Sequence, residues 1–444
     1  TSGVNNIILG TAAGDNLTAG SYNIVIGQGA LSSEDEHGRN VAIGQSALAV
    51  QNAGADAYNT VVGYNAGQAV TTAVRNTLIG GLAGDAITTG SDNVALGYNS
   101  LTSNTIGNSN VAIGKDSMIT NVAADRNVAV GLGTLQNMTS ATTTDTYNTA
   151  VGYAAGTAVT TGVQNVLLGG SAGDSLTSAN NNVAIGYNAM GSEDTGDGST
   201  AVGHSALAAM NYDGYAHNTA IGYHAGKEIT SGIKNTITGG LAGDAITDGT
   251  ENTVYGYFAL SNEDNGASNT AIGAQALGNQ DGGSNNTALG RQAGLSVSTG
   301  GNNTILGANA GDDVTSGSNN TLIGQGAGNV LTTGSNNVVV GRDTDLAANS
   351  NNSCIIIGEG LTGLGSNTTL IGNSLTTKAH VHGLVKPTNE TNANVAVALP
   401  NNIYVFSDAD GATVTLPDSG SGAYLGATIE FIIKTNATSN SHKI

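Results

Sequence analysis

Apolar residues along this chain recur in triplets that follow an asparagine and end on a glycine, as in Asn40-Val-Ala-Ile-Gly44, Asn110-Val-Ala-Ile-Gly114 and Asn269-Thr-Ala-Ile-Gly273. Counted from Gly10 to Gly372 there are 22 such anchors, most of them 17 residues apart. The exceptions are spacings of 19 (Gly44 to Gly63 and Gly203 to Gly222), 21 (Gly131 to Gly152) and a final 14. Asn stands four before the glycine in 19 of the 22; Ser199, Cys354 and Thr368 are the departures. A fixed period of this length is the signature of a repeat architecture in which each unit is one coil.

Side chains alternate across a strand, so the residues three and one before each anchor share a face, while the residue two before lies on the other. The −1 position is almost always Val, Ile or Leu, and the −2 position is often Ala or Val. One face is therefore bulky and the other small, and the small face is the one that another chain's backbone is expected to approach. The return half of each coil follows a second rule. Either Ala-Gly stands at +3/+4 with an aliphatic at +7, as in Ala83, Gly84 and Ile87, or an apolar residue stands at +4 with a polar one at +7, as in Leu101 and Asn104. Leu135 with Met138 and Leu207 with Met210 carry both plugs, and their coils are lengthened, which predicts an extra turn bulging from the stack. Asn and Gly suit the left-handed and tight-turn conformations needed at coil corners. Short alternating strands with fixed turns specify an all-β fold, a parallel β-solenoid of about 17-residue coils over residues 1–374. At about 4.8 Å per coil it would form a rod on the order of 100 Å long.

The repeat stops after Gly372. Residues 375–387 read as a connector, and 388–444 carry a different alternation, with Asn394-Val-Ala-Val-Ala-Leu399 and Ala412-Thr-Val-Thr-Leu416 separated by Asp-Ala-Asp-Gly and similar turns. That pattern predicts a small antiparallel β-domain, a cap or the start of a tip. The chain opens at Thr1 within the repeat and without Met, which reads as a piece of a longer protein.

Composition narrows the function classes. The 444 residues include 67 glycines, 3 prolines, no tryptophan and only 10% charged residues, a repeat protein's composition and not that of several ordinary domains. Scarce cations give a net charge of −20, which argues against nucleic acid and anionic membrane as partners. No apolar run approaches the ~18 residues of a membrane span, so no membrane insertion is expected. The single cysteine, Cys354, precedes Ile355-Ile356-Ile357 and reads as a buried small hydrophobe.

No nucleophile, base and orienting group stand out, so the chain reads as a non-enzyme. Tyr64, Tyr98, Tyr153, Tyr187, Tyr223 and Tyr257 fall at +1 in pairs two coils apart; they are candidates for stacking against sugar rings, with packing between coils as the plainer account. The lengthened coils place Tyr58, Tyr147, Tyr215 and His217 in or beside bulges, where receptor contact is most expected. Glu34-Asp35, Glu193-Asp194 and Glu263-Asp264 recur after the return half; they read as a solvated edge, with Ca²⁺ binding as the sharper alternative. Asp15, Asp85, Asp174, Asp244 and Asp312 follow Ala-Gly and read as turn formers.

The Asn-Thr-Ala-Ile-Gly-Tyr-x-Ala-Gly unit, seen at His217-Asn-Thr-Ala-Ile-Gly-Tyr223, resembles the head repeats of trimeric autotransporter adhesins and is still more similar to repeats of phage tail fibres that precede a self-cleaving chaperone domain. The resemblance covers about residues 5–374 and departs from the adhesin pattern in its longer unit. It implies a left-handed β-roll in a parallel homotrimer, whose partners are itself, other virion tail or fibre proteins, and a host surface glycan or protein. Such a fibre is extracellular. His380 and His382 would point the same way on a strand, and three chains would bring six imidazoles to one axis, an arrangement that resembles phage fibre tips. An axial metal ion there, iron or similar, is the one cofactor candidate; the plainer reading is two polar residues at a junction. The implied function is a structural shaft, first a viral tail fibre positioning a receptor-binding tip. A bacterial adhesin head is the alternative, and an ice- or crystal-binding solenoid the third.

Overall fold

A computed structural model describes residues 2–140, 142–373 and 375–376, together with the backbone of Val395–Ala396 and Val414–Thr415. The first compact unit ends at Thr376. It is all-β, with no helix among the described residues.

Each anchor closes a three-residue strand, and the strands form one 22-stranded sheet in which every neighbouring pair is parallel. Pairing is in strict register: Ile24↔Val41, Val25↔Ala42 and Ile26↔Ile43 in a 17-residue step. The register survives the lengthened coils, with Val41↔Thr60, Val128↔Thr149 and Thr200↔Thr219, so their extra residues are left out of the sheet. In the longest coil Thr144–Asp145 pairs in parallel with Ala124–Asp125 of the coil before, a second short ladder where the sequence predicts a bulging turn. The return half is also bonded coil to coil: Gly67 N–H donates to the Ala83 carbonyl and Thr71 N–H to the Thr88 carbonyl. The chain is a parallel β-solenoid.

The −2 residue points into the coil. Val25, Leu78, Ala95, Leu167 and Ile305 are all fully buried, while the −3 and −1 residues stand outside, half-buried or exposed. The small face is thus the interior of the same chain, not a surface for another. A coil this short leaves a narrow interior, and burying a −2 leucine there contributes about 1.5–3 kcal/mol. The glycine anchors tell the same story: Gly97 has φ +140°, and a Cβ on it would lie 2.6 Å from the Gly114 carbonyl oxygen. The close backbone approach is to the next coil, and it excludes every other residue.

Nor does the anchor asparagine adopt the left-handed conformation. It is buried, and its side chain and backbone together link three coils: Asn93 Oδ1 accepts from Asn110 backbone N–H (3.0 Å) and Asn93 Nδ2 donates to the Gly107 carbonyl (2.9 Å), while Asn93 backbone N–H donates to Asn76 Oδ1 (2.9 Å). Ser199 continues this ladder with its hydroxyl, accepting from Asn218 N–H. Cys354 N–H donates to Asn337 Oδ1, and its buried thiol donates to the Gly365 carbonyl. The left-handed residue is the one before, at −5: Tyr22, Arg39, Tyr58 and Lys234 have φ between 56° and 65°, as do Asn285, Asn302, Asn319 and Asn336 in the later coils. Asparagine suits that conformation; the others adopt it at a cost of about 1 kcal/mol or more each.

Of residues 388–444 only Val395–Ala396 and Val414–Thr415 are described, as one parallel pair. The remainder of that expected domain lies outside the described residues.

Candidate functional site: the outward strand face and its borders

The outward side of the sheet carries the −3 and −1 residues. At −1, 20 of the 22 coils present Val, Ile or Leu, from Leu9 to Ile371; the exceptions are Thr238 and Tyr255. Strict register stacks the aliphatic ones into an apolar stripe on either side of Thr238 and Tyr255, with Leu96, Ile221, Leu289 and Ile357 exposed. At −3, threonine occupies eight successive strands, Thr200 to Thr321, each paired with the next.

Two columns border this face. The +1 column holds Tyr64, Tyr98, Tyr153, Tyr187, Tyr223 and Tyr257, all more than half exposed. Tyr98, Tyr187 and Tyr257 lean over the glycine at +1 of the preceding coil: a Cβ on Gly81, Gly170 or Gly240 would touch the ring edge at 3.5–3.6 Å. His204 occupies the same column, 5.3 Å from Tyr187 and 5.5 Å from Tyr223 between ring centroids, and His224 stacks on Tyr223 at 3.8 Å. Burial, with Lys227 and His204 nearby, holds His224 below the ordinary imidazole range. His204 and His224 therefore belong to one aromatic group with Tyr187 and Tyr223; the signal for His204 was its +1 position.

The −5 column gathers the other candidates. Arg39 lies over the rings of Tyr22 and Tyr58 (5.1 and 5.6 Å) and donates to Asp56, which holds that carboxylate below its usual range. Arg126 donates to the Tyr147 hydroxyl, and that hydroxyl to Asp145 Oδ2, both at 3.0 Å. Tyr215, exposed in its bulge, stacks on His217 at 5.6 Å. The structure thus sorts the receptor-contact candidates into two separate columns: Tyr58, Tyr147 and His217 on one border, with Tyr215 beside them, and Tyr64, Tyr153 and Tyr223 on the other.

No protein-family model matches this chain, and no curated protein does. The site is therefore read from its own chemistry.

The acidic pairs are not a solvated edge. Glu34, Glu193 and Glu263 are fully buried at +7, the inward position that Ile87 fills elsewhere, and only the following aspartates reach the surface. Glu193 Oε1 accepts from Gly196 N–H (2.7 Å), and burial raises its pKa. Each such glutamate closes a turn inside the coil; the missed signal was that +7 points inward in the other coil type. Where Gly196 and Gly266 stand, the first of these coils has His37, whose Nδ1 is 3.5 Å from Glu34 Oε1; with Asp35 these groups lie within 4.8 Å of one another. Asp85, Asp174 and Asp244 have pKa values raised by burial, and one oxygen of Asp85 and of Asp244 is buried without a partner. His380 and His382 lie outside the described residues.

Proposed function

We propose that this chain is the shaft of an extracellular homotrimeric fibre, in the first place a viral tail fibre that sets a receptor-binding tip at a distance from its base. The observation that supports this is the aliphatic stripe at −1, interrupted only at Thr238 and Tyr255. A solenoid working alone gains nothing from keeping Ile, Val and Leu on the outside of nearly every coil, and an exposed apolar surface of that extent marks an interaction site. Its occupant must carry a matching ladder of the same coil spacing along the whole sheet. A second and third copy in register meet that requirement; a globular partner does not. The likeness of the repeat unit to phage fibres and trimeric adhesin heads supports the same arrangement, and three parallel copies multiply any weak surface contact into avidity.

Light scattering on the undenatured protein tests the assembly. A mass three times 43.7 kDa is expected, and substituting Ile113→Asp with Ile185→Asp in the stripe is expected to lower it toward a single chain. A stable monomer from the unmodified chain overturns the trimer. The run of eight threonines favours one second reading, an ice-binding surface, since it presents hydroxyls at regular steps. A monomer that also produces thermal hysteresis would select that reading.

A further inference from the structure

The +1 row is not built like the aliphatic stripe beside it. The stripe recurs from Leu9 to Ile371 with two interruptions, Thr238 and Tyr255, whereas the aromatic row is densest over seven successive coils, from Gly152 to Gly256, and then gives way to Ala274, Arg291, Ala308 and Gln325. A seam between copies in register extends along the stack; a ligand site is local.

We propose that the row formed by Tyr153, Tyr187, His204, Tyr223 and Tyr257 is a platform for a neutral oligosaccharide lying along the coil stack. The inference rests on the fibre reading and adds the ligand class and the place on the shaft. Tyr153 is 65% exposed, Tyr187 60%, Tyr223 53% and Tyr257 58%, and His204 is exposed between the middle two. An aromatic ring offers an apolar face to the C–H side of a pyranose, and the phenol and imidazole supply hydrogen bonds to its hydroxyls. Four of the five rings are held in place beforehand: Tyr187, His204 and Tyr223 touch in sequence, His224 backs Tyr223, and Phe258 meets Tyr257 edge-on at 4.5 Å. Pre-ordered rings cost little side-chain entropy on binding. Centroid steps of 5.3 and 5.5 Å leave no room for a sugar between adjacent rings, so the saccharide lies across them, one ring after another.

Charge selects the class. No lysine or arginine stands in this row over these coils, the neighbouring Lys227 is paired with Glu228, and the chain carries −20 overall. Acidic glycans would be repelled, and neutral ones are not.

The test uses the full-length protein on an array of neutral cello-, chito- and manno-hexaoses with sialylated and sulfated oligosaccharides beside them. Binding to a neutral hexaose is expected. Tyr187→Ala with Tyr223→Ala is expected to weaken it at least tenfold, as is leucine at the same two positions, which keeps apolar bulk without a ring. Tyr22→Ala, exposed but outside the row, is expected to leave it unchanged. No neutral binding, binding to acidic glycans alone, or neutral binding that survives both double variants overturns the platform. Light scattering of the same samples reads the assembly separately: a trimer that ignores neutral glycans sinks the platform alone, and a monomer that binds them sinks the trimer alone. A fall in mass caused by the tyrosine variants would make the row a contact between copies and also overturn the proposal.

Discussion

The adjacent coils anchored at Gly80 and Gly97 have the same backbone and fill it in opposite ways. In the first, Leu78 enters from the strand, +4 is Gly84, and Ile87 fills the return half; in the second, the strand gives only Ala95, +4 is Leu101, and Asn104 stands where Ile87 did. Both +4 residues are left-handed, Gly84 at φ 54° and Leu101 at 56°. Glycine adopts that conformation without steric cost, whereas leucine pays about 1–2 kcal/mol, a loss its burial offsets. A Cβ on Gly84 would meet Ile87 Cδ1 at 2.6 Å and Leu78 Cδ2 at 3.0 Å, so in this coil a +4 side chain has no room beside Leu78 and Ile87. The coils with Leu135 and Met138 or Leu207 and Met210 hold both plugs behind a small −2 alanine, Ala129 or Ala201. The repeated object is the backbone with its Gly and Asn columns; the apolar volume inside is shared out among three positions.

Breaking what both coils share is expected to cost most. Gly80→Ala and Gly97→Ala drive a Cβ to 2.4 and 2.6 Å from the next glycine's carbonyl oxygen, and each should destabilise by more than about 4 kcal/mol. Urea unfolding measures the loss, and equal losses in the two coils would confirm that the anchor is independent of the filling. Asn93→Ala comes next, at about 2–3 kcal/mol, because it leaves Asn110 N–H buried without its acceptor and takes from the Gly107 carbonyl one of its two side-chain donors, Asn104 Nδ2 remaining. Asn104→Ala, which opens one turn inside a coil, should cost about half as much.

Exchange of filling sharpens the comparison. Gly84→Leu alone should cost about 2–3 kcal/mol by overpacking. Adding Leu78→Ala and Ile87→Asn converts the coil to the other type and should recover most of that, with a coupling of at least about 1 kcal/mol in a mutant cycle. Additive losses would show that the coil types do not trade volume.

The smallest effect separates the coils by pH. Asp85 belongs to the first coil, and Thr102 holds the same place in the second. Burial raises the folded pKa of Asp85, so the folded state binds its proton more readily than the unfolded chain. That contribution is present below the ordinary carboxylate pKa and is lost as pH rises through the raised value. Between about pH 7 and about pH 4 the melting temperature should therefore rise slightly on acidification through this group, and Asp85→Asn should flatten the slope.

Period, register and fold class were legible in the chain because a coil can only repeat if its tightest points repeat. Gly97 and Asn93 recur at fixed spacing since no other residue survives the backbone contact at one or supplies the two-way bond at the other. The lengthened coils and their bulges were equally readable, as was the exposed tyrosine column at +1, whose spacing the strands preserve. Three features were not. Alternation says that −2 and −1 face opposite ways, but both are apolar, so only the narrowness of the closed coil decides that Ala95 goes inside and Leu96 outside. Glu34, Glu193 and Glu263 look like surface charge until the turn they close is seen to lie within the coil. His204 and His224 stand 20 residues apart in the sequence, yet they meet at 5.5 Å because one coil of the solenoid brings them side by side. Local sterics fix the repeat from the sequence alone; which face is buried and which rings touch depend on how much space a closed coil leaves, and that is a property of the folded stack.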